Sequence, residues 1–308
     1  MIISILILIV GIALLIKGAD FFIEGASAVA RRFNIPSIII GLTIVAMGTS
    51  APEASVSINS ALKGVSGVAI GNVLGSNIGN ILLILGLTAI ISNLTLRKNT
   101  IKFEMPFLLF ITSLLCFMGY YFQEISRFSA FVLLGFFLLF FIYLFKTAKD
   151  IPQQEEEIKQ LNPLLMVIFI IGGLFALVWG SDLTVNSAIS IAKTLGISER
   201  IIGLTIVAIG TSLPELVTCI IAALKKQSDI AIGNIVGSNV FNILFVLGTT
   251  CAIQPVVFEK AFLFDGLVAI VSVILLWLFT FKDQVISRWD GICLFGAYVA
   301  YLIYIIIK

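Results

Sequence analysis

Apolar residues run along this chain in long unbroken blocks separated by short polar breaks, and ten of the blocks are long enough to cross a bilayer. A helix needs roughly 20 apolar residues for that. The blocks predict helices near residues 2–30, 36–62, 66–93, 104–122, 128–147, 163–192, 198–224, 228–253, 260–281 and 288–307. They are continuous, with no polar/apolar alternation, so the predicted class is an all-α integral membrane protein. The sizeable polar stretch is 149–162, with Gln153, Gln154 and the run Glu155, Glu156, Glu157. At 14 residues it reads as a solvated linker and is too short for a regulatory domain.

The blocks repeat. Residues 41–91 and 203–253 align without gaps at an offset of 162, and 30 of the 51 pairs are identical. The second predicted helix matches the seventh and the third matches the eighth, so each repeat holds five spans. An odd number forces the two copies into opposite orientations, the inverted-repeat arrangement of secondary transporters, whose sites lie near the midplane where the repeats meet. The predicted organisation is a first five-helix repeat over 1–148, the linker over 149–162, and an inverted repeat over 163–308. Residues 1–16 resemble the apolar part of a leader and Ala26, Ser27 and Ala28 a cleavage pattern. However, no basic residue precedes them, and Gly18–Phe33 has a counterpart at Gly180–Leu195, so the first helix is read as structural.

Composition agrees with the pattern: 60% of residues are hydrophobic and 12% charged. The net charge of +2 comes from basic residues at helix ends and implies no nucleic-acid partner. The absence of histidine removes the usual zinc ligand and near-neutral proton relay. Four cysteines (Cys116, Cys219, Cys251, Cys293) lie scattered in apolar runs and read as packing residues. With the N-terminus placed outside, twelve basic residues fall in cytoplasmic loops and six outside, which favours both termini outside and a multi-pass place in the cell membrane.

Against this background, one glutamate in each repeat is the candidate chemistry. An ionisable residue at mid-span is read as functional by default. Glu53 lies in Gly48-Thr49-Ser50-Ala51-Pro52-Glu53 and Glu215 in Gly210-Thr211-Ser212-Leu213-Pro214-Glu215. Proline frees the carbonyl four residues back, near Gly48 and Gly210. Thr49, Ser50 and Glu53 share one helix face. Carboxylate, hydroxyl and freed carbonyl are hard oxygen ligands that suit Na⁺ or Ca²⁺. A second wall comes from the next helix of each repeat, where Asn72, Ser76 and Asn80, and again Asn234, Ser238 and Asn242, recur every four residues. The charges at Lys17, Asp20, Glu24, Glu104, Asp182 and Asp265 sit near predicted span ends, where snorkelling is ordinary; Asp20 and Asp182 are repeat partners.

The paired G-T-S-x-P-E and G-N-x-x-G-S-N-x-x-N segments resemble the two α-repeats of the sodium/calcium exchangers of the cation/calcium exchanger superfamily, in its compact prokaryotic form, over essentially the whole chain. The resemblance implies a central calcium site from Glu53 and Glu215 with backbone carbonyls near Thr49 and Thr211. It implies flanking sodium sites drawing on Ala46, Ser50, Ser76, Ala208, Ser212 and Ser238, with Asn80 and Asn242 completing the centre. It also implies that the first and sixth helices slide against the rest. Na⁺ and Ca²⁺ would be transported ligands, with no cofactor and no obligatory protein partner besides the bilayer. One position departs: several relatives, including potassium-dependent ones, carry aspartate where this chain has Asn242, leaving two formal negative charges and arguing against potassium co-transport.

Two carboxylates neutralise one Ca²⁺ or share several Na⁺ ions, so a site that crosses the low-dielectric barrier only when loaded would couple the two ions without ATP. A proton/calcium exchanger is the nearest alternative, since buried glutamates titrate; the serines at 50, 76, 212 and 238 favour Na⁺, because a proton needs no such ligands. Inverted repeats and mid-span breaks argue against a channel. The absence of a nucleophile–base pair or paired mid-span aspartates argues against an intramembrane enzyme.

Overall fold

The structure, a computed structural model, describes residues 2–64, 66–148, 161–196 and 208–307. Nearly all of the linker predicted over 149–162, and the first part of the helix predicted over 198–224, lie outside those residues. The helices are α1 (Ile2–Arg32), α2 (Ser37–Thr49), α3 (Ala51–Leu62), α4 (Gly67–Ile91), α5 (Thr100–Phe122), α6 (Arg127–Thr147), α7 (Pro163–Thr194), α8 (Leu213–Leu224), α9 (Ser228–Ile253), α10 (Phe262–Thr280) and α11 (Arg288–Ile307). Among the described residues, eight are long and apolar enough to cross a bilayer, or nine if α2 and α3, bent by 47° at Ser50, form one span. The chain is therefore an all-α multi-pass membrane protein.

Local chemistry sets the ends. Asn162 caps α7 by accepting the Leu164 N–H at 3.1 Å, with Pro163 in the first turn. Ser126 caps α6 through the Ser129 N–H at 3.3 Å. Four two-residue strands are absent from the sequence reading: β1 (Leu94–Thr95) pairs antiparallel with β4 (Val285–Ile286), and β2 (Glu124–Ile125) with β3 (Val256–Val257). Each pair clips a loop of the first half to a loop of the second. Two residues carry no readable period, so only the folded arrangement reveals them.

Burial sorts the helices into layers. Of the spanning stretch of α9, 94% is buried, and of α4, 78%; for α11, α1 and α7 the shares are 17%, 22% and 28%. Helices α4 and α9 thus form the core, and apolar side chains such as Leu6, Phe131, Phe145 and Trp179 face lipid. Both core helices widen into a π-helical turn, over Gly79–Leu85 and Asn242–Val246, a device frequent at functional sites. Helix α9 also approaches α2 backbone to backbone. A methyl group on Gly233 would lie 2.8 Å from the Ile38 carbonyl oxygen, and one on Gly237 2.7 Å from Leu42 Cα.

Helices α1 and α7 pack along a glycine seam in the same way. A Cβ on Gly173 would meet the Phe22 amide nitrogen at 2.6 Å, and one on Gly180 the Gly11 carbonyl oxygen at 2.9 Å. In a bilayer, where lipid is as apolar as leucine, this close approach is what holds two helices together.

Candidate functional site

Each repeat breaks its helix at the same serine. Ser50 has φ −84° and ψ 7°, and Ser212 φ −90° and ψ 8°, outside the helical region. Pro52 and Pro214 follow in the first turns of α3 and α8, so the break falls where the missing N–H is harmless. Glu53 and Glu215 sit in those same first turns, where the positive end of a half-helix favours a carboxylate. Both are essentially fully buried.

The two breaks face each other across the repeats. Ser50 Oγ donates to Glu215 Oε1 at 3.0 Å, and Ser212 Oγ donates to Glu53 Oε1 at 3.4 Å. Each carboxylate is held by the serine of the other half. Their second oxygens, Oε2 of Glu53 and of Glu215, are buried without a hydrogen-bond partner among the described residues. So are Oδ1 of Asn80 and Oδ1 of Asn242. Buried acceptors are almost always satisfied. These four oxygens lie on residues the sequence nominated; the other buried side-chain atoms without a partner among the described residues are on Thr100, Glu104, Thr218, Thr250 and Trp277. No cluster of three His, Cys, Asp or Glu side chains that could hold a metal ion occurs among the described residues.

Sequence reasoning missed the layer beneath. Asn77 Nδ2 donates to the Asn239 carbonyl at 3.2 Å, and Asn239 Nδ2 donates to the Asn77 carbonyl at 3.2 Å. Asn80 Nδ2 donates to Asn239 Oδ1 at 2.9 Å, and Asn242 Nδ2 to Asn77 Oδ1 at 3.2 Å. Residue i contacts j+162 just as j contacts i+162, the signature of a two-fold contact. The recurrence of Asn77 and Asn239 in both motif copies was the available signal.

The remaining candidates divide. Thr49 is buried and donates to Asn234 Oδ1 at 3.0 Å. Ser238 Oγ donates to the Ala46 carbonyl at 3.4 Å, joining those two nominated residues. Ser76 is buried. Ala208 begins a helical turn at the edge of the described residues. Thr211 does not share the burial of Thr49; it lines a cleft of about 370 Å³ with Pro52, Ser55, Ser181, Asp182 and Gly210. Asn72 braces helices within its own repeat, whereas Asn234 accepts from Thr49 of the first repeat and also contacts its own. Asn72 Nδ2 donates to Ser57 Oγ at 2.9 Å and to the Glu53 carbonyl at 3.1 Å, while Asn234 Nδ2 meets Cys219 Sγ at 3.4 Å.

Among the peripheral charges, Glu104 departs from the sequence reading: it is buried, not snorkelling, and accepts the Tyr143 hydroxyl at 2.6 Å. Asp265 accepts the Tyr301 hydroxyl at 2.9 Å. Asp20 forms an ion pair with Lys225, whose Nζ also donates to the Asp20 carbonyl at 3.2 Å.

Comparison with known proteins agrees with this architecture. A family model described as "Sodium/calcium exchanger protein" matches residues 3–146 and again 165–307. The chain is 40% identical to the putative antiporter CaxA of Alkalimonas amylolytica, over 98% of each protein. It is 31% identical to the sodium/calcium exchanger MaX1 of Methanosarcina acetivorans, again over 98% of each. A solved structure of the sodium-calcium exchanger NCX_Mj, soaked without Na⁺ and Ca²⁺, superposes with a TM-score of 0.85 at 34% identity, covering 99% of both chains. Two family matches, one in each half of a chain whose broken helices face each other, leave one assignment: this chain belongs to the sodium/calcium exchanger family.

Proposed function

We propose that the chain is a secondary active antiporter exchanging Na⁺ for Ca²⁺ across the cell membrane by alternating access. Its ten spans form two inverted five-helix repeats, 1–148 and 163–308, joined by the linker 149–162 on the cytoplasmic side, with both termini outside. The carrying observation is the set of four unpartnered buried oxygens on Glu53, Glu215, Asn80 and Asn242. Two carboxylates match the charge of one Ca²⁺, and the amide oxygens add neutral hard ligands. Ser50, Ser76, Ser212 and Ser238, with the carbonyls near Ala46, Thr49, Ala208 and Thr211, would serve the smaller charge of Na⁺. The names of the relatives support the same pair of ions.

The deciding experiment is ⁴⁵Ca uptake into proteoliposomes loaded with Na⁺. Uptake should follow the Na⁺ gradient and should not require K⁺, since Asn242 adds no third carboxylate. Uptake driven by a pH gradient but not by Na⁺ would replace this reading with proton exchange, and an absolute K⁺ requirement would overturn the reading of Asn242.

Alternating access finds support in an asymmetry. Asp20 and Asp182 are repeat partners, and so are Lys63 and Lys225, each 162 positions apart. Asp20 and Lys225 are joined in an ion pair. Asp182 instead borders the cleft beside Thr211, and Lys63 is exposed. In inverted repeats, swapping the conformations of the halves moves the opening to the other face, so the second pair should form when the first parts. Cysteine pairs Lys63→Cys with Asp182→Cys, and Asp20→Cys with Lys225→Cys, in a background without the four native cysteines, test this. Cross-linking of 63 to 182 should rise as that of 20 to 225 falls on adding Ca²⁺. Both links forming in one molecule would refute the exchange of pairs.

A further inference from the structure

We propose that Asn77 and Asn239 are positioning residues that fix which end of the Asn80 and Asn242 amides faces the central site, and so make that site accept cations. The inference rests on the exchange reading above and adds a specificity layer to it. The two ends of an asparagine amide are alike in shape and opposite in chemistry: the oxygen accepts and the NH₂ donates. Which end faces a cation therefore decides between a ligand and a repelling dipole. Such orientation is normally ambiguous, because turning the amide over changes little in volume.

Here the backbone removes the ambiguity. The Asn77 carbonyl can only accept, so the Asn239 amide facing it must present Nδ2, at 3.2 Å. That turns Asn239 Oδ1 toward Asn80, which must then offer Nδ2, at 2.9 Å. The remaining end of Asn80, Oδ1, is left buried and unpartnered. The mirrored chain runs from the Asn239 carbonyl through Asn77 to Asn242, with contacts of 3.2 Å and 3.2 Å, and leaves Asn242 Oδ1 in the same condition. All four side chains are at most 3% exposed, so water does not compete for these bonds. Two carbonyls, one from each core helix, thus fix which end of each amide is left buried and free to accept. The arrangement parallels the outer partners that orient metal ligands in other sites.

A carboxylate presents oxygen whichever way it turns, so it needs no such positioning. This gives a test that a purely structural role for Asn77 would not pass. Apparent KM and Vmax for ⁴⁵Ca uptake are measured for the unmodified protein, Asn77→Ala, Asn242→Asp and the double variant. Asn77→Ala should raise the Ca²⁺ KM about tenfold while Vmax stays within about twofold. In the Asn242→Asp background the same substitution should raise KM less than about twofold, or lower it, because a carboxylate at that position has no orientation to lose. An equal fold-change in both backgrounds would overturn the proposal, as would unchanged KM in Asn77→Ala. The mirrored cycle, Asn239→Ala with Asn80→Asp, serves if the first variant does not fold. Should the unmodified protein show no Ca²⁺ flux, the exchange reading fails by itself. The cycle is then read from the thermal stabilisation of purified protein by Ca²⁺ and by Na⁺, where the same non-additivity is expected and its absence refutes the clamp.

Discussion

Glu53→Gln or Glu215→Gln should each abolish Ca²⁺ exchange while leaving a folded, membrane-inserted protein. Glutamine keeps the shape and the acceptor oxygen that Ser212 or Ser50 engages, but it removes one of the two charges available to a divalent ion. Unit charges 4 Å apart at an effective dielectric near 20 interact by about 4 kcal/mol, and a divalent ion doubles that. Even if the amide oxygen recovers half, the loss is about 4 kcal/mol, or roughly a thousandfold in affinity. The fold should not suffer, because the change removes a buried charge that has no cationic partner. Flux in proteoliposomes and thermal unfolding of the purified protein check the two halves of this expectation. Near-normal Ca²⁺ flux in either variant would sink the central-site assignment.

Gly237→Ala should destabilise the protein by about 1–3 kcal/mol, the usual range for overpacking, and should weaken Na⁺ dependence as well. The added methyl would lie 2.7 Å from Leu42 Cα, 2.7 Å from its carbonyl oxygen and 2.8 Å from Ala46 Cβ. Two of those atoms are backbone and cannot turn aside, so α9 must move away from α2. The adjacent Ser238 would then be drawn off the Ala46 carbonyl it reaches at 3.4 Å. Gly135→Ala, where an added methyl finds nothing within 4 Å, is the matching control. Equal melting temperatures for the two variants would show that the α2–α9 contact has slack that the structure does not display.

The repeat made the centre legible. Glu53 and Glu215 could be paired before any coordinates because both carry the same neighbours at one offset, and the amides at 80 and 242 followed from a four-residue stripe. In the structure the amide oxygens of Asn80 and Asn242 are buried and unpartnered and Ser238 reaches the Ala46 carbonyl, while Thr211 stands at the cleft. What the sequence withheld depends on partners far away in the chain. Asn77 and Asn239 lie one position beyond the stripe serines, on another face, and their role exists only because the two core helices cross there. Glu104 looked like a span-end charge because Tyr143, 39 residues on, is invisible to local pattern. Cys219, read as mere packing, stands where the first repeat has Ser57 and takes over its contact with an asparagine.

The glycine seam ties α1 to α7 more closely than either is tied to lipid, and both helices are long, with 31 and 32 residues. At 1.5 Å per residue they reach about 46 Å, whereas the hydrocarbon core is only about 30 Å thick. Helices of that length are accommodated by tilting or by reaching past the hydrocarbon into the headgroups, and the thickness of the surrounding membrane shifts the balance between the two. Lipid chain length would then act on the protein, a thinner bilayer favouring a flatter pair and a thicker one a more upright pair.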